Sequence, residues 1–358
     1  MNPAKQLRFW LIGLALFVLT LWVLADMLLP FVAGLAIAYL LDPLVDRLER
    51  LGLPRWLGTT LVLLSFLVLL ILLALLLVPL VQAQVSHLIE VLPSYATAIR
   101  ERLLPMLDRL IHRLSPQDVE RLRGAVGNYA GDALTWVVDV LRRILSGGLA
   151  LFDVLSVMFI TPIVAFYLMR DWDILVSKVD SWLPRQHLET IRGQAREVDQ
   201  TLAGFVRGQA TVCVVLGVFY AVALSLAGLD FGLVIGLIAG LLSFIPYVGS
   251  LFGFMASTGL ALLQFDSLWR VAIVVGIFLL GQAVEGNVLT PKLVGERVGL
   301  HAVWVIFALL AGGSLFGFLG VLLAVPVAAV IGVLTRFALR QYMASPYYRG
   351  AATRRELP

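Results

Sequence analysis

Residues 57–81 run for 25 positions without one charged side chain. A bilayer's hydrocarbon core is about 30 Å thick and an α-helix rises about 1.5 Å per residue, so about 20 apolar residues cross it. The other apolar runs are 9–25, 28–41, 148–169, 209–228 and 268–290. Two further regions, 231–264 and 302–338, are as apolar but interrupted by Gly and Pro. In lipid, only helices and closed barrels satisfy their own backbone hydrogen bonds, and runs of this length are helical. The expected fold is therefore all-α: a polytopic transmembrane helical bundle whose first partner is the lipid bilayer. Composition excludes a soluble domain, since 60% of the 358 residues are hydrophobic, 14% are charged, and mean hydropathy is +0.96.

The single cysteine, Cys213, lies among Val212, Val214 and Val215, which excludes a disulfide framework or a cysteine metal cluster. A pI near 9.4 raises nucleic acid as a partner. The arginines, however, sit in short segments between apolar runs, where membrane orientation explains them and no nucleic-acid partner is expected. With both termini cytoplasmic, the inner segments 1–8, 42–56, 170–207, 291–300 and 336–358 hold 18 of the 27 Lys and Arg residues. The outer side then keeps Arg270 and the eight arginines of 82–147, a segment too long for the positive-inside rule to count. Lys5 and Arg8 before the first apolar run resemble a signal peptide, but no cleavage site follows and a second apolar run does. An uncleaved hairpin is expected there.

Parity of the crossings shapes the second half. Residue 230 falls outside, and the 268–290 run must travel inward to bring Lys292 and Arg297 to the cytoplasm. Residues 231–264 therefore leave and return on one side, as a re-entrant or short helical hairpin. Its arms are Phe231 to Ile245 and Leu251 to Gln264, and its tip is Pro246-Tyr247-Val248-Gly249. Irregular backbone at that depth needs protein or a water-filled cavity around it. A kinked pair of packing helices is the plainer alternative. A second interruption is Gly312 to Gly320, including Gly317. The remaining organisation is an N-terminal membrane part (1–81), a small extramembrane helical subdomain (82–147), a C-terminal core (148–340) with a cytoplasmic helical segment (170–207), and a cytoplasmic tail (341–358). In 82–147, Leu103, Leu107, Leu110 and Leu114 recur at helical spacing opposite Arg102, Arg109 and Arg113. That face can serve subunit association, packing on the membrane part, or lying on the lipid surface.

Glu285 is the ionisable residue that stands out. It lies 15 residues past Arg270, about 22 Å below the outer interface marked by Trp269 and Arg270. The tip at Pro246 is about as deep. A carboxylate at that level is costly unless it has a cavity or a partner, which makes it a functional candidate. The alternative is that the helix ends early and Glu285 is a wet loop residue paired with Lys292 or Arg297. Gln282 and Asn287 place neutral polar groups nearby. Arg207, with Gly208 and Gln209, opens the fifth span, and either snorkels to headgroups or pairs with Glu285. Asp153, within the fourth apolar run, is a weaker candidate. Enzyme chemistry has no support: no phosphate loop, dinucleotide fingerprint, HExxH, or metal-spaced pairing among the four histidines is present, and no cofactor is expected.

These residues together resemble a known family. Arg207-Gly208-Gln209, then Phe244-Ile245-Pro246-Tyr247-Val248-Gly249, then Glu285-Gly286-Asn287-Val288-Leu289-Thr290-Pro291 with Lys292-Leu293-Val294-Gly295, and finally Phe316-Gly317-Phe318-Leu319-Gly320 with Leu323-Ala324-Val325-Pro326, resemble the autoinducer-2 exporter family of PerM-type bacterial permeases. The resemblance implies an inner-membrane permease with about eight transmembrane elements, oligomeric, exporting autoinducer-2 or exchanging sodium or lithium for protons. It departs at Gly299-Leu300-His301, where Ala302 replaces the Pro that often follows. The expected function is secondary transport of a small polar solute or monovalent cation. Backbone groups from the Pro246, Tyr247 and Gly249 tip and the Gly317 to Gly320 bend would line the path, with Glu285 taking a proton or cation. A non-transporting scaffold acting through 82–147, and a passive channel, are the alternatives.

Overall fold

The computed structural model describes residues 12, 13, 16, 19–98, 151–294 and 300–349. All regular elements among them are helical: α1 (Ala25–Arg50), α2 (Arg55–Ala98), α3 (Leu151–Ser181), α4 (Leu188–Leu226), α5 (Gly232–Leu242), α6 (Val248–Gln264), α7 (Leu268–Val284), α8 (Ala302–Ala344) and the short α9 (Pro346–Arg349). A π-helical stretch, Glu285–Val294, continues α7. Five helical stretches among the described residues are long and apolar enough to cross a membrane. The protein is a multi-pass helical membrane protein, as its apolar runs require.

The structure moves some expected boundaries. The first two apolar runs are parted by Leu24 alone (φ −94°, ψ 8°), rather than by the turn of an open hairpin. No break occurs at residue 82: α2 continues for 44 residues, about 66 Å, or twice the hydrocarbon thickness, so its far end stands outside the bilayer. Residues 99–150, which hold the rest of the expected extramembrane subdomain, lie outside the described residues. The 170–207 segment is not a separate element. It consists of the end of α3 and the start of α4, which is one 39-residue helix through Arg207 and Gly208. The charged first half and apolar second half of α4 differ in solvent, not in backbone.

The chain forms two compact units. The first comprises Met1–Leu64, Ser156–Ala210 and Thr290–Pro358. Within it α1 meets α3 closely at Gly34, where a Cβ would fall 2.7 Å from Val164 Cγ1. Thr161 Oγ1 donates to the Pro30 carbonyl across the same contact, at 3.3 Å. Arg55, at the start of α2, is the ionic centre. It donates to the Met169 carbonyl at 2.8 Å and lies 3.1 Å from Asp42, 3.6 Å from Asp46, 3.2 Å from Glu49 and 2.8 Å from Asp173. In α8 the helix breaks at Gly317 (φ 57°, ψ −137°) and doubles back, so that a Cβ on Gly320 would strike the Gly312 carbonyl. That is a second interrupted hairpin at the expected bend. Its first arm begins at His301, whose Nδ1 accepts from the Val303 N–H at 3.3 Å. The side-chain cap does the work a proline after His301 would have done.

The second unit comprises Ser65–Leu155 and Thr211–Leu289. Here α4 and α5 touch backbone to backbone, since a Cβ on Gly236 would strike Ala221 and one on Gly240 would strike Gly217. Helices α5 and α6 form the short hairpin that parity required, closed by residues 243–247. At its open end Gln264 ties the preceding loop, donating to the Gly228 carbonyl and accepting from the Asp230 N–H, both at 2.9 Å.

Two measurements test this packing. Gly240→Val should lower the unfolding temperature in detergent by the equivalent of about 1–3 kcal/mol, because backbone rather than a yielding side chain occupies the space. The second concerns Arg192, which grips Asp180 through two 2.7 Å hydrogen bonds and holds that carboxyl below its ordinary range. A depressed folded-state value gives stability that is present above the unfolded carboxylate pKa of about 3.9 and lost as pH falls through the folded value. Arg192→Ala should therefore lower the unfolding temperature at neutral pH, and the difference from wild type should vanish in strong acid.

Candidate functional site

Helices α6 and α7 are each 17 residues long and antiparallel, joined through residues 265–267. Their register is fixed by Phe278, whose ring lies 2.6 Å from where a Cβ on Gly253 would stand and 6.3 Å, edge-on, from the Phe254 ring. Seven residues onward along α7 is Glu285; seven residues back along α6 are Pro246 and Tyr247. The carboxylate and the hairpin tip are thus level with each other. Arg270, whose guanidinium packs over Phe265 at 5.4 Å, marks the opposite end of the same pair.

Glu285 is half-buried and stands where α7 changes to π-helical winding. Gln282 Nε2 donates to its Oε2 at 2.7 Å. Lys292, offered by sequence as an ion-pair partner, is exposed and makes no salt bridge among the described residues; Arg297 lies outside them. Asn287 is turned to its own helix, donating to the Ala283 carbonyl at 2.8 Å. The widened winding matters here, because π-turns leave backbone carbonyls poorly matched and often mark sites of function.

Sequence reasoning missed Tyr220. It is 0% exposed and its ring stacks on Phe278, with centroids 4.4 Å apart and planes 14° apart. Its hydroxyl is buried without a hydrogen bond of good geometry; the Gln282 side chain stands close by, already engaged with Glu285. Gly281 makes the approach possible, since a Cβ there would land on the phenol ring. One carboxylate, one amide and one orphaned hydroxyl therefore meet in an apolar setting. A Tyr on a run of Val, Leu and Phe carries no signal of this until its partners are known.

The tip itself is strained. Tyr247 has φ 68° and ψ −27°, a left-handed conformation that a bulky residue adopts only at some cost. Pro246 precedes it, and Gly249 is buried where a Cβ would strike Ser243. The other expected site residues belong to further elements of the chain. Arg207 and Gln209 belong to the first unit, where Arg207 Nε donates to the Tyr39 carbonyl at 2.7 Å and Gln209 is 6% exposed. Gly317 and Gly320 form the α8 bend of that same unit. Asp153 is in α3, and its side chain lies outside what the structure describes.

A multi-pass helical chain with two interrupted hairpins is built as a membrane permease is. The chain belongs to the AI-2E family of transporters, whose profile matches residues 11–340. It is 29% identical over 349 residues to YrrI of Bacillus subtilis strain 168, covering 94% of this chain and 97% of that one. It is 27% identical over 308 residues to PerM of Escherichia coli K12, covering 86% of each chain. AI-2 transport protein TqsA of the same bacterium is 24% identical over 312 residues, covering 86% of this chain and 85% of that one.

Removing a buried hydroxyl that makes no well-formed hydrogen bond among the described residues relieves a desolvation penalty of about 1–3 kcal/mol. Tyr220→Phe, which keeps the stacked ring, should therefore unfold at the same or a higher temperature than wild type. A clear loss of stability would show that the hydroxyl has a partner after all.

Proposed function

We propose that the protein is a secondary transporter of a bacterial inner membrane, with both termini cytoplasmic, and that Glu285 takes up a proton or monovalent cation as a small polar solute or ion is moved. The observation that supports this reading is the register of α6 and α7, which puts Glu285 level with a strained, non-helical hairpin tip. A broken helix frees backbone carbonyls that can replace part of an ion's or solute's water shell. An intramembrane carboxylate whose partner among the described residues is a neutral amide can change charge as its surroundings change.

In this reading the carboxylate alternates between two partners. With the site empty it accepts from Gln282. When cargo enters, the Gln282 amide and the Tyr220 hydroxyl are available to cargo oxygens, and Glu285 binds the cation or holds the proton. The tip at Pro246, Tyr247 and Gly249 moves with it, because a residue held in a left-handed conformation loses that strain when the turn rearranges. A relative named for AI-2 transport supports a small polar, oxygen-rich cargo for this chain. Sodium or lithium exchange against protons uses the same groups, with the cation in place of the solute. The functional particle is expected to be a homo-oligomer.

Purified protein reconstituted into liposomes tests the reading. Solute and sodium flux should respond to an imposed pH gradient in the wild type. Glu285→Gln, nearly isosteric and unable to ionise, should lose at least about tenfold of that flux. Equal flux from the two proteins, with equal response to the gradient, would remove Glu285 from the mechanism. Absence of flux in the wild type for every cargo would favour a scaffold role instead.

A further inference from the structure

The first unit contains a pocket that this transport site does not use. It is a partly open cleft of about 70 Å³ between α1, α3 and the charged half of α4, room for a small group rather than a large ligand. We propose that it binds an ammonium group, carried either by a soluble amino alcohol or by a lipid's phosphoethanolamine head.

Three properties of the walls carry this. The first is aromatic: Tyr39 and Trp172 stand edge to face with centroids 6.2 Å apart, offering ring surface to a cation. The second is charge. Asp42 and Asp199 line the pocket, and Asp199 Oδ1 accepts the Tyr39 hydroxyl at 3.0 Å. Asp42 is compensated only in part, because its partner Arg55 is shared with Asp46, Glu49 and Asp173. The lining thus carries two carboxylates against the one guanidinium of Arg207, and its net charge is negative. The third is the donor set. Among the described residues no three acids, His or Cys converge to hold a metal ion, so the fitting cation is one that rings can also contact. Arg207 on the same wall favours a ligand whose ammonium is followed by an oxygen. The position agrees with either source of the ligand, since Tyr39 ends an apolar run and Trp172 opens the segment assigned to the cytoplasmic side.

The experiment is calorimetric titration of the full chain in detergent with ethanolamine, with ethylene glycol as the neutral match and sodium chloride at equal ionic strength. A second arm uses dihexanoyl phosphatidylethanolamine against dihexanoyl phosphatidylglycerol. Saturable binding of ethanolamine or of the ethanolamine lipid, and not of its control, is expected. The free amine binding alone identifies a soluble ligand, and the lipid alone a headgroup site. Asp199→Asn should weaken binding at least tenfold, and Tyr39→Phe, which keeps the charge, less than threefold. Should Asp199→Asn fail to elute as a folded species, Trp172→Leu carries the same test with the same tenfold expectation. Glu285→Gln should bind as wild type does, which separates this result from the transport reading. Equal binding of the neutral controls, unchanged affinity in the Asp199 or Trp172 variant, or no saturable binding in either arm overturns the proposal.

Discussion

A backbone N–H or carbonyl in hydrocarbon has no water to bond, so a membrane chain can leave the helix only where other protein stands against it. That constraint explains the placing of the glycines. At Gly217 and Gly240, and at Gly236 beside Ala221, two helices approach with backbone in contact, which lets the eleven-residue α5 lie against α4 although it is too short to cross alone. Gly249 does the same at the tip, fitting against Ser243. With these contacts the turn through Pro246 and Tyr247 can exist at depth. Without them its free carbonyls would face lipid.

The two clusters of charge obey different solvents. Arg55 answers four carboxylates that are 30% to 72% exposed, where water screens their mutual repulsion and each pair contributes little alone. The value of that cluster is geometric, since one guanidinium holds the α1–α2 turn to α3. Glu285, among the described residues, has the neutral amide of Gln282 as its side-chain partner. In low dielectric a permanent ion pair there would fix the charge of the carboxylate, whereas an amide leaves its charge state free to change.

Much of this architecture could be read from residue order. Loop parity, together with Pro246 and Gly249, required the α5–α6 hairpin, and counting residues placed Glu285 at its level; the Phe278 contacts then supplied the register. The Gly312–Gly320 bend was visible for the same reason, that glycine clusters punctuate helices. What could not be read depends on partners distant in sequence. Tyr220 looks like any aromatic on an apolar helix until Gly281 and Gln282 are brought against it, and Arg55 is one basic residue in a short loop until Asp173 arrives from another helix. The continuity of α4 through Gly208 was hidden because hydropathy changes there while the backbone does not. Hydropathy reports the solvent around a helix, and only then its ends.

Gly317 has open space where a side chain would go, yet its dihedral angles, φ 57° and ψ −137°, belong to a region that residues with a Cβ scarcely enter. Room alone therefore does not make the position tolerant. In terms of the genetic code, every single-base change in a glycine codon that replaces the residue adds a Cβ, so no neighbouring codon supplies an acceptable substitute. A lineage cannot drift away from this bend by small steps. It must either keep glycine there or rebuild the turn through several changes at once, and the sharp reversal of α8 is then an all-or-none inheritance.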